Sequence, residues 1–283
     1  MILLAESGAT RSHWALVSSK WSSEVVTLRG FNPNYHQHSA FPGLIIELIK
    51  ALPESTKVGE IVFYGSGCAG KQRAADVGQM LASLFPKANI QVHGDLLAAA
   101  RGLFRTQAGL AVILGTGSNA GLYDGNEIVR TIPSLGYIMG DEGSGSHLGR
   151  LIVKAFVTRR MPDAVADDFM RFTGISRDEM VRSIYSHSEP GNLLASFAPF
   201  LSKNIANEFC ERLVIESFTG FFSFIKPILP EAVLPEIAAT GSVAANFSAQ
   251  FIKTAEIAGF NVQRIVSSPF PDLLAYHQQL LSE

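Results

Sequence analysis

Two cysteines in 283 residues, Cys68 and Cys210, are too few and too far apart for a disulfide scaffold or a four-thiolate metal site. A reducing, cytoplasmic setting is the expectation. Charge is scarce as well: charged residues make up 17%, and 23 Lys+Arg against 25 Asp+Glu leave a formal charge of −2. No basic field exists to hold nucleic acid or an anionic membrane. No apolar run reaches the roughly 18 residues that a membrane-crossing helix needs, and the N-terminus opens as a strand rather than as a basic and apolar leader. The seven histidines show no metal-ligand spacing, and no low-complexity linker interrupts the chain. What is abundant is hydrophobic residue, at 47%. A chain of this length with that content exceeds one ordinary core, so two folded domains and small-molecule chemistry are expected.

Strand-like and helix-like segments alternate, which predicts α/β architecture. Residues 1–5, 13–18 and 24–29 read as an antiparallel meander. Helix 43–52, strand 60–64, helix 71–84, strand 89–93 and helix 96–106 follow. A second half restarts the pattern with strands 109–114, 120–123 and 127–131, the last two joined by Asp124-Gly125-Asn126, a strong hairpin signal. Residues 147–226 read as largely helical. The expected domains are 1–107, with helix 270–283 packing back on it, and 108–269, which carries the helical insertion.

Each half opens with a strand that runs into a turn of small residues. The first turn is Glu6-Ser7-Gly8-Ala9-Thr10-Arg11-Ser12, and the second is Leu114-Gly115-Thr116-Gly117-Ser118-Asn119. Glycines at 115 and 117 permit positive φ and remove the Cβ atoms that would hold an anion away, while Thr116 and Ser118 add hydroxyl donors. Two phosphate cradles predict one nucleotide held between two halves. The run Gly65-Ser-Gly-Cys-Ala-Gly70-Lys71-Gln72 nearly spells a P-loop, but Gln72 lacks the hydroxyl that would ligate magnesium. It is read as a turn shaping the cleft. Phe218, Phe221, Phe222 and Phe224 mark an apolar helix face suited to a core or a dimer contact.

Three further stretches complete a pattern: His93-Gly-Asp-Leu-Leu-Ala-Ala-Ala100, Gly140-Asp141-Glu142-Gly143-Ser144, and Thr240-Gly-Ser-Val-Ala244. In this order, with the two turns, they resemble the N-acetylglucosamine kinase family, related to the broader group of BadF/BadG-type ATPases, over nearly the whole chain. The resemblance implies two actin-like (ribonuclease H-like) domains facing across a nucleotide cleft. It also implies ATP and Mg²⁺ as cofactors, an amino sugar as substrate and a homodimer through the helical second domain.

Residue by residue, the resemblance implies that Asp95 accepts the proton of a sugar hydroxyl as its oxygen attacks the γ-phosphate, although an Asp there also suits an ordinary helix cap. Gly8, Thr10, Arg11, Gly115, Thr116, Gly117, Gly241, Ser242 and Asn246 are implied for the nucleotide. Ser118, Asn119 and Asp141 are implied for the sugar, together with Asn32 or Asn34, of which Asn32 is preferred because Pro33 would fix its surroundings. Glu6 is implied for magnesium, through water. The acidic pair Asp141-Glu142 also suits a helix start, whereas the glycines at 140, 143 and 145 let backbone approach a ligand. Ser7 and Ala9 stand where the family has glycine, which keeps a non-catalytic sugar sensor open. An activator ATPase of the dehydratase type would need paired cluster cysteines, and the zinc-bearing sugar kinase and repressor family would need a cysteine cluster; neither is present.

Overall fold

The computed structural model describes residues 1–33, 38–229 and 236–283. Its contacts divide the chain into two units. The first comprises residues 1–108, 123–129 and 269–283, and the second residues 109–122 and 130–268.

In the first unit, β1 (Ile2–Ser7), β2 (Arg11–Val17), β3 (Val26–Arg29), β4 (Glu60–Gly65) and β5 (Asn89–Gly94) form one sheet in the order β3-β2-β1-β4-β5. β1 runs antiparallel to β2 and parallel to β4, which runs parallel to β5. β1 is apolar without a break from Ile2 to Ala5 because both of its faces are covered there. Leu3 and Ala5 join a core with Trp14, Phe63 and the helix residues Leu44, Leu48, Val77 and Leu81. Ile2 and Leu4 join the opposite core with Val62, Tyr64, Phe270 and Leu273. That split is the two-residue period of a strand. Register then decides what lies at the sheet's edge: Ser7, Gly65 and Gly94 stand side by side as the last residues of three parallel strands. The residues just beyond them, Gly8, Ser66 and Asp95, emerge along one line, where open α/β sheets bind ligands.

The second unit repeats the order. Its sheet runs β10-β9-β6-β7-β8, with β6 (Gly109–Leu114), β7 (Ser118–Tyr123), β8 (Ile128–Thr131), β9 (Ile237–Thr240) and β10 (Val262–Val266). β9 is parallel to both β6 and β10. The three residues between β6 and β7 are too few for the crossover that a parallel pair needs, so that pair is a hairpin. The fold is therefore an actin-like α/β fold built on two mixed sheets. The phenylalanine face lies in the core: Phe218, Phe221 and Phe222 are buried, with ring centroids of Phe218 and Phe222 at 5.3 Å and 5.2 Å from that of Phe251. Both cysteines are buried and free. No helix among the described residues is long and apolar enough to cross a membrane.

The hairpin tip Tyr123–Val129 belongs to the first unit although its strands lie in the second sheet. The Tyr123 hydroxyl donates to the Arg105 carbonyl at 2.7 Å, and Gly125, at φ +103°, lies so close that a Cβ would come 2.4 Å from the Thr106 carbonyl oxygen. Asp124 closes the tip by accepting the Asn126 and Glu127 amides at 2.8 Å.

A buried polar network in the first unit sets an acid limit on stability. Arg101 donates to the Tyr64 hydroxyl at 2.7 Å, so the single phenol proton is left for His277 Nε2 at 2.9 Å. His277 is thereby an acceptor and neutral. Burial, reinforced by the Arg101 cation, pushes its pKa down to about 4. The folded value lies below the unfolded 6.5, so the stability it contributes is full above pH 6.5 and is lost as pH falls toward 4. Wild-type protein is expected to lose about 2–3 kcal/mol through this group between pH 7 and pH 4.5. His277→Gln keeps an acceptor for Tyr64 and removes that loss. Urea midpoints of both proteins at the two pH values check this, and equal acid losses would show that His277 does not titrate as described.

Candidate active site

In the first unit the line of strand ends gathers Glu6, Asn32, Ser66 and Asp95. Glu6 and His13 are a cross-strand pair in β1 and β2, and the carboxylate meets His13 Nδ1 at 3.1 Å. Asp95 is the first residue of the helix Asp95–Phe104, with Gly94 at the cap position. Its Oδ1 accepts the Leu96 amide at 2.9 Å. Burial foremost, then the charge of Glu6, pushes the Asp95 pKa up to about 6, against the pull of the Leu96 amide. Such a carboxylate is ionised at neutral pH yet more basic than an ordinary one, which suits a general base.

The first turn departs from the expected cradle. It is a hairpin closed on itself, with the Gly8 amide donating to the Arg11 carbonyl at 2.9 Å, so that amide is not offered to an anion. Thr10 and Arg11 are exposed at its tip. Ser7, where the family has glycine, is fully buried and turned inward; its Oγ accepts the Phe31 amide at 2.9 Å and donates to the Phe31 carbonyl at 3.3 Å. That staple places Asn32, itself 4% exposed. Gly30 is pressed beneath the turn, where a Cβ would come 2.2 Å from the Gly8 carbonyl oxygen. Asn34 lies outside the described residues.

In the second unit, Gly115, Gly117, Ser118, Asp141 and Gly241 come together. Neither Gly115 nor Gly117 has positive φ, contrary to expectation. Gly117 is close to another group: a Cβ there would come 3.1 Å from the Asp141 carboxylate, which accepts the Ser118 amide at 3.3 Å. The Gly115 amide is likewise engaged, donating to the Gly117 carbonyl at 3.0 Å. The cradle is thus less open in its amides than the motif suggests, although beyond the Cα of Gly115 nothing lies within 4 Å. Asn119 Oδ1 accepts the Ala120 amide at 2.9 Å. Thr116 is partly exposed and its carbonyl accepts the Ser146 amide at 3.0 Å.

Asp141 is not a helix-start acid. It precedes the helix Gly145–Val157, whose cap is Ser144, adopts φ +59°, and turns its carboxylate to the 117–118 turn. Burial raises its pKa. The flanking glycines are packed closely against protein. A Cβ at Gly140 would meet Leu135 at 2.8 Å, one at Gly143 would meet Phe221 at 3.0 Å, and one at Gly145 would meet Ala195 at 3.1 Å. Arg150, not anticipated from the motifs, holds the short helix Gly136–Met139 by donating to the Tyr137 and Ile138 carbonyls at 2.6 Å and 3.0 Å.

Gly241 takes the positive φ, +111°, and a Cβ there would come 2.3 Å from the Leu114 carbonyl oxygen. β6 and β9 therefore end against each other. Ser242 and Asn246, at the two ends of the short helix Ser242–Asn246, are exposed. Among the described residues no group of three or more His, Cys, Asp or Glu is placed to hold a metal.

No family model matches the chain, and no curated protein does. Solved structures do. A protein of Porphyromonas gingivalis provisionally named an N-acetylglucosamine kinase is 31% identical, with 99% of each chain covered and a TM-score of 0.92. One of Chromobacterium violaceum with the same provisional name is 16% identical over 97% of this chain and 98% of its own, with a TM-score of 0.75. A glucokinase of the ROK family from Streptomyces griseus, in complex with glucose and AMPPNP, is 14% identical over 97% of each chain, with a TM-score of 0.58. The last two share the fold. The first shares descent over the full chain, and on that ground the chain belongs to the sugar kinase family.

Proposed function

We propose that this chain is an ATP-dependent kinase of an amino sugar, most directly N-acetylglucosamine, with N-acetylmuramic acid and glucosamine as the near alternatives. The observation that carries the mechanism is Asp95: a carboxylate at the end of three aligned parallel strands, held by the Leu96 amide, with its pKa pushed up to about 6. In the step proposed, a sugar hydroxyl oxygen bonds to the γ-phosphorus, the bond from that phosphorus to the β–γ bridging oxygen breaks, ADP leaves, and the hydroxyl proton passes to Asp95. A base of this kind contributes roughly 10²–10⁴-fold, and the remaining acceleration comes from positioning and charge neutralisation.

The reading assigns Asn32, Ser118, Asn119 and Asp141 to the sugar. Gly8, Thr10, Arg11, Gly115, Thr116, Gly117, Gly241, Ser242 and Asn246 are assigned to the nucleotide. Glu6 fits magnesium: its carboxylate is near enough to Asp95 to raise that group's pKa, a like-charge approach that a cation would relieve. One carboxylate with phosphates and waters is the ordinary magnesium environment, and the ion would supply neutralisation of phosphate charge. Support for an amino sugar comes from the provisional name of the Porphyromonas relative.

The test is ATP consumption with Mg²⁺ against a panel of amino sugars and their N-acetyl forms, with mass detection of the sugar phosphate. Transfer to an N-acetylhexosamine is the expected result. ADP formed without sugar phosphate would replace this reading with an activator ATPase, and binding without turnover would replace it with a sensor.

A further inference from the structure

The segment ahead of Asp141 is held by a side chain that the kinase motifs do not include. The helix Gly136–Met139 is only four residues long, so the carbonyls of its later residues lack partners inside it. Arg150, on the helix Gly145–Val157, supplies them. Its Nη1 donates to the Tyr137 and Ile138 carbonyls at 2.6 Å and 3.0 Å, and its Nη2 donates to the Gly140 carbonyl at 3.4 Å. One guanidinium reaches three carbonyls because its N–H donors spread in a fixed planar fork, and a cation is favoured where a helix ends.

The bond to Gly140 bears most directly on the site. That carbonyl belongs to the peptide unit whose nitrogen is that of Asp141, so a donor on it fixes the plane that sets φ at Asp141. The angle is +59°, a left-handed value that a non-glycine residue keeps only where its surroundings hold it. With the backbone so turned, Asp141 Oδ1 accepts the Ser118 amide at 3.3 Å. The anchors themselves are firm. A Cβ at Gly149 would come 1.9 Å from the Leu194 carbonyl oxygen, so the helix that carries Arg150 lies directly on the helix Pro190–Ala195, and a Cβ at Gly191 of that same helix would come 3.2 Å from the Tyr137 ring. On the far side of Asp141, the Gly143 amide donates at 3.1 Å to the hydroxyl of Ser217, which is fully buried in the helix Glu208–Ile225. Asp141 and Glu142 are thus the two residues between two fixed points.

We infer that Arg150 is a positioning residue for sugar binding, which turns the 140–141 peptide so that the Asp141 carboxylate is held in place at the Gly117-Ser118 turn. This rests on the kinase reading above, which assigns Asp141 to the sugar. Arg150 acts through Asp141 and not on the phosphates, so its removal weakens binding of one substrate and leaves the other alone.

The experiment compares wild type, Arg150→Met, Asp141→Gly and the double variant, with thermal melts to establish folding. Glycine at 141 removes the carboxylate and accepts the positive φ. In Arg150→Met the KM for sugar rises roughly tenfold, while kcat and the KM for ATP stay within about twofold of wild type. On top of Asp141→Gly the same substitution adds little, because the group it positions is already gone. If Arg150→Met does not fold, Arg150→Lys, which keeps the charge and loses the fork, is compared in the same way and shows a smaller rise. An unmoved KM for sugar in a folded Arg150 variant overturns the inference, as does a full tenfold loss added to Asp141→Gly, or a loss spread equally over both substrates and kcat. Hydrogen exchange of the Ser118 amide reads the Asp141 contact without turnover, and it is expected to quicken in Arg150→Met. If wild type transfers no phosphate, the kinase reading has failed; a quickened Ser118 amide then still supports Arg150 as the residue that places Asp141, and an unchanged one overturns it.

Discussion

Asp95→Asn is expected to lower sugar phosphorylation by about 10²–10⁴-fold while sugar and nucleotide still bind, because the substitution removes the proton acceptor and little else. The side chain keeps its size, and its oxygen can accept the Leu96 amide. The same variant carries a second signature. The Asp95 pKa is raised from 3.8 to about 6 in the folded protein, so folding favours the protonated form. Below pH 3.8 both states are protonated and the carboxyl costs nothing. The cost grows between pH 3.8 and 6 and is complete above that. A two-unit shift corresponds to about 3 kcal/mol at most, and partial exposure reduces it to about 1–2 kcal/mol. In a chain of this size that is a rise of roughly 2–8 °C in melting temperature for Asp95→Asn at pH 8, disappearing at pH 4. An inactive variant that is also more stable only at the higher pH identifies a strained catalytic carboxylate. Near-wild-type turnover would show that the base is another residue, and equal stabilisation at both pH values would show that Asp95 is not raised.

Gly241→Ala is expected to cause the largest loss of stability. The Cβ would come 2.3 Å from the Leu114 carbonyl oxygen, 2.6 Å from its carbon and 3.2 Å from the Gly115 nitrogen, all of them backbone atoms of a buried strand end. None is the flexible tip of a side chain, so β6 and β9 must separate where they terminate. Positive φ at +111° adds backbone strain of about 1–3 kcal/mol for any side chain. Together these exceed about 4 kcal/mol, the upper tail for a single substitution. The control is Gly115→Ala. Its φ is not positive, and an added methyl meets nothing within 4 Å. That variant should melt within about 2 °C of wild type and bind nucleotide more weakly, because the methyl occupies the open side of the turn. Thermal melts and nucleotide titration of the two proteins separate the effects. Loss of stability in both would mean that Gly115 is also a packing glycine, and retention of stability in Gly241→Ala would show that the two strand ends can part.

These contrasts mark the division between what local sequence determines and what only the tertiary structure decides. The strands were legible because their information is local. The unbroken apolar run of β1, the alternation that sends Leu3 and Leu4 to opposite cores, and Asp124-Gly125 closing a hairpin each depend on neighbours a few residues away. The α/β class and the restart of one strand order in a second sheet follow from such segments. The roles of individual glycines were not legible. A glycine in a turn has the same letter whether it needs positive φ, as Gly241 does, or yields room to a carboxylate 24 residues away, as Gly117 does for Asp141. The Asn32–Ser66 contact was hidden for a related reason: the two residues are 34 apart in the chain and meet only in the folded unit. Side-chain period and turn chemistry are set by adjacent residues and survive in the sequence. Strand register, and the meetings it brings about, exist only once the sheet has formed.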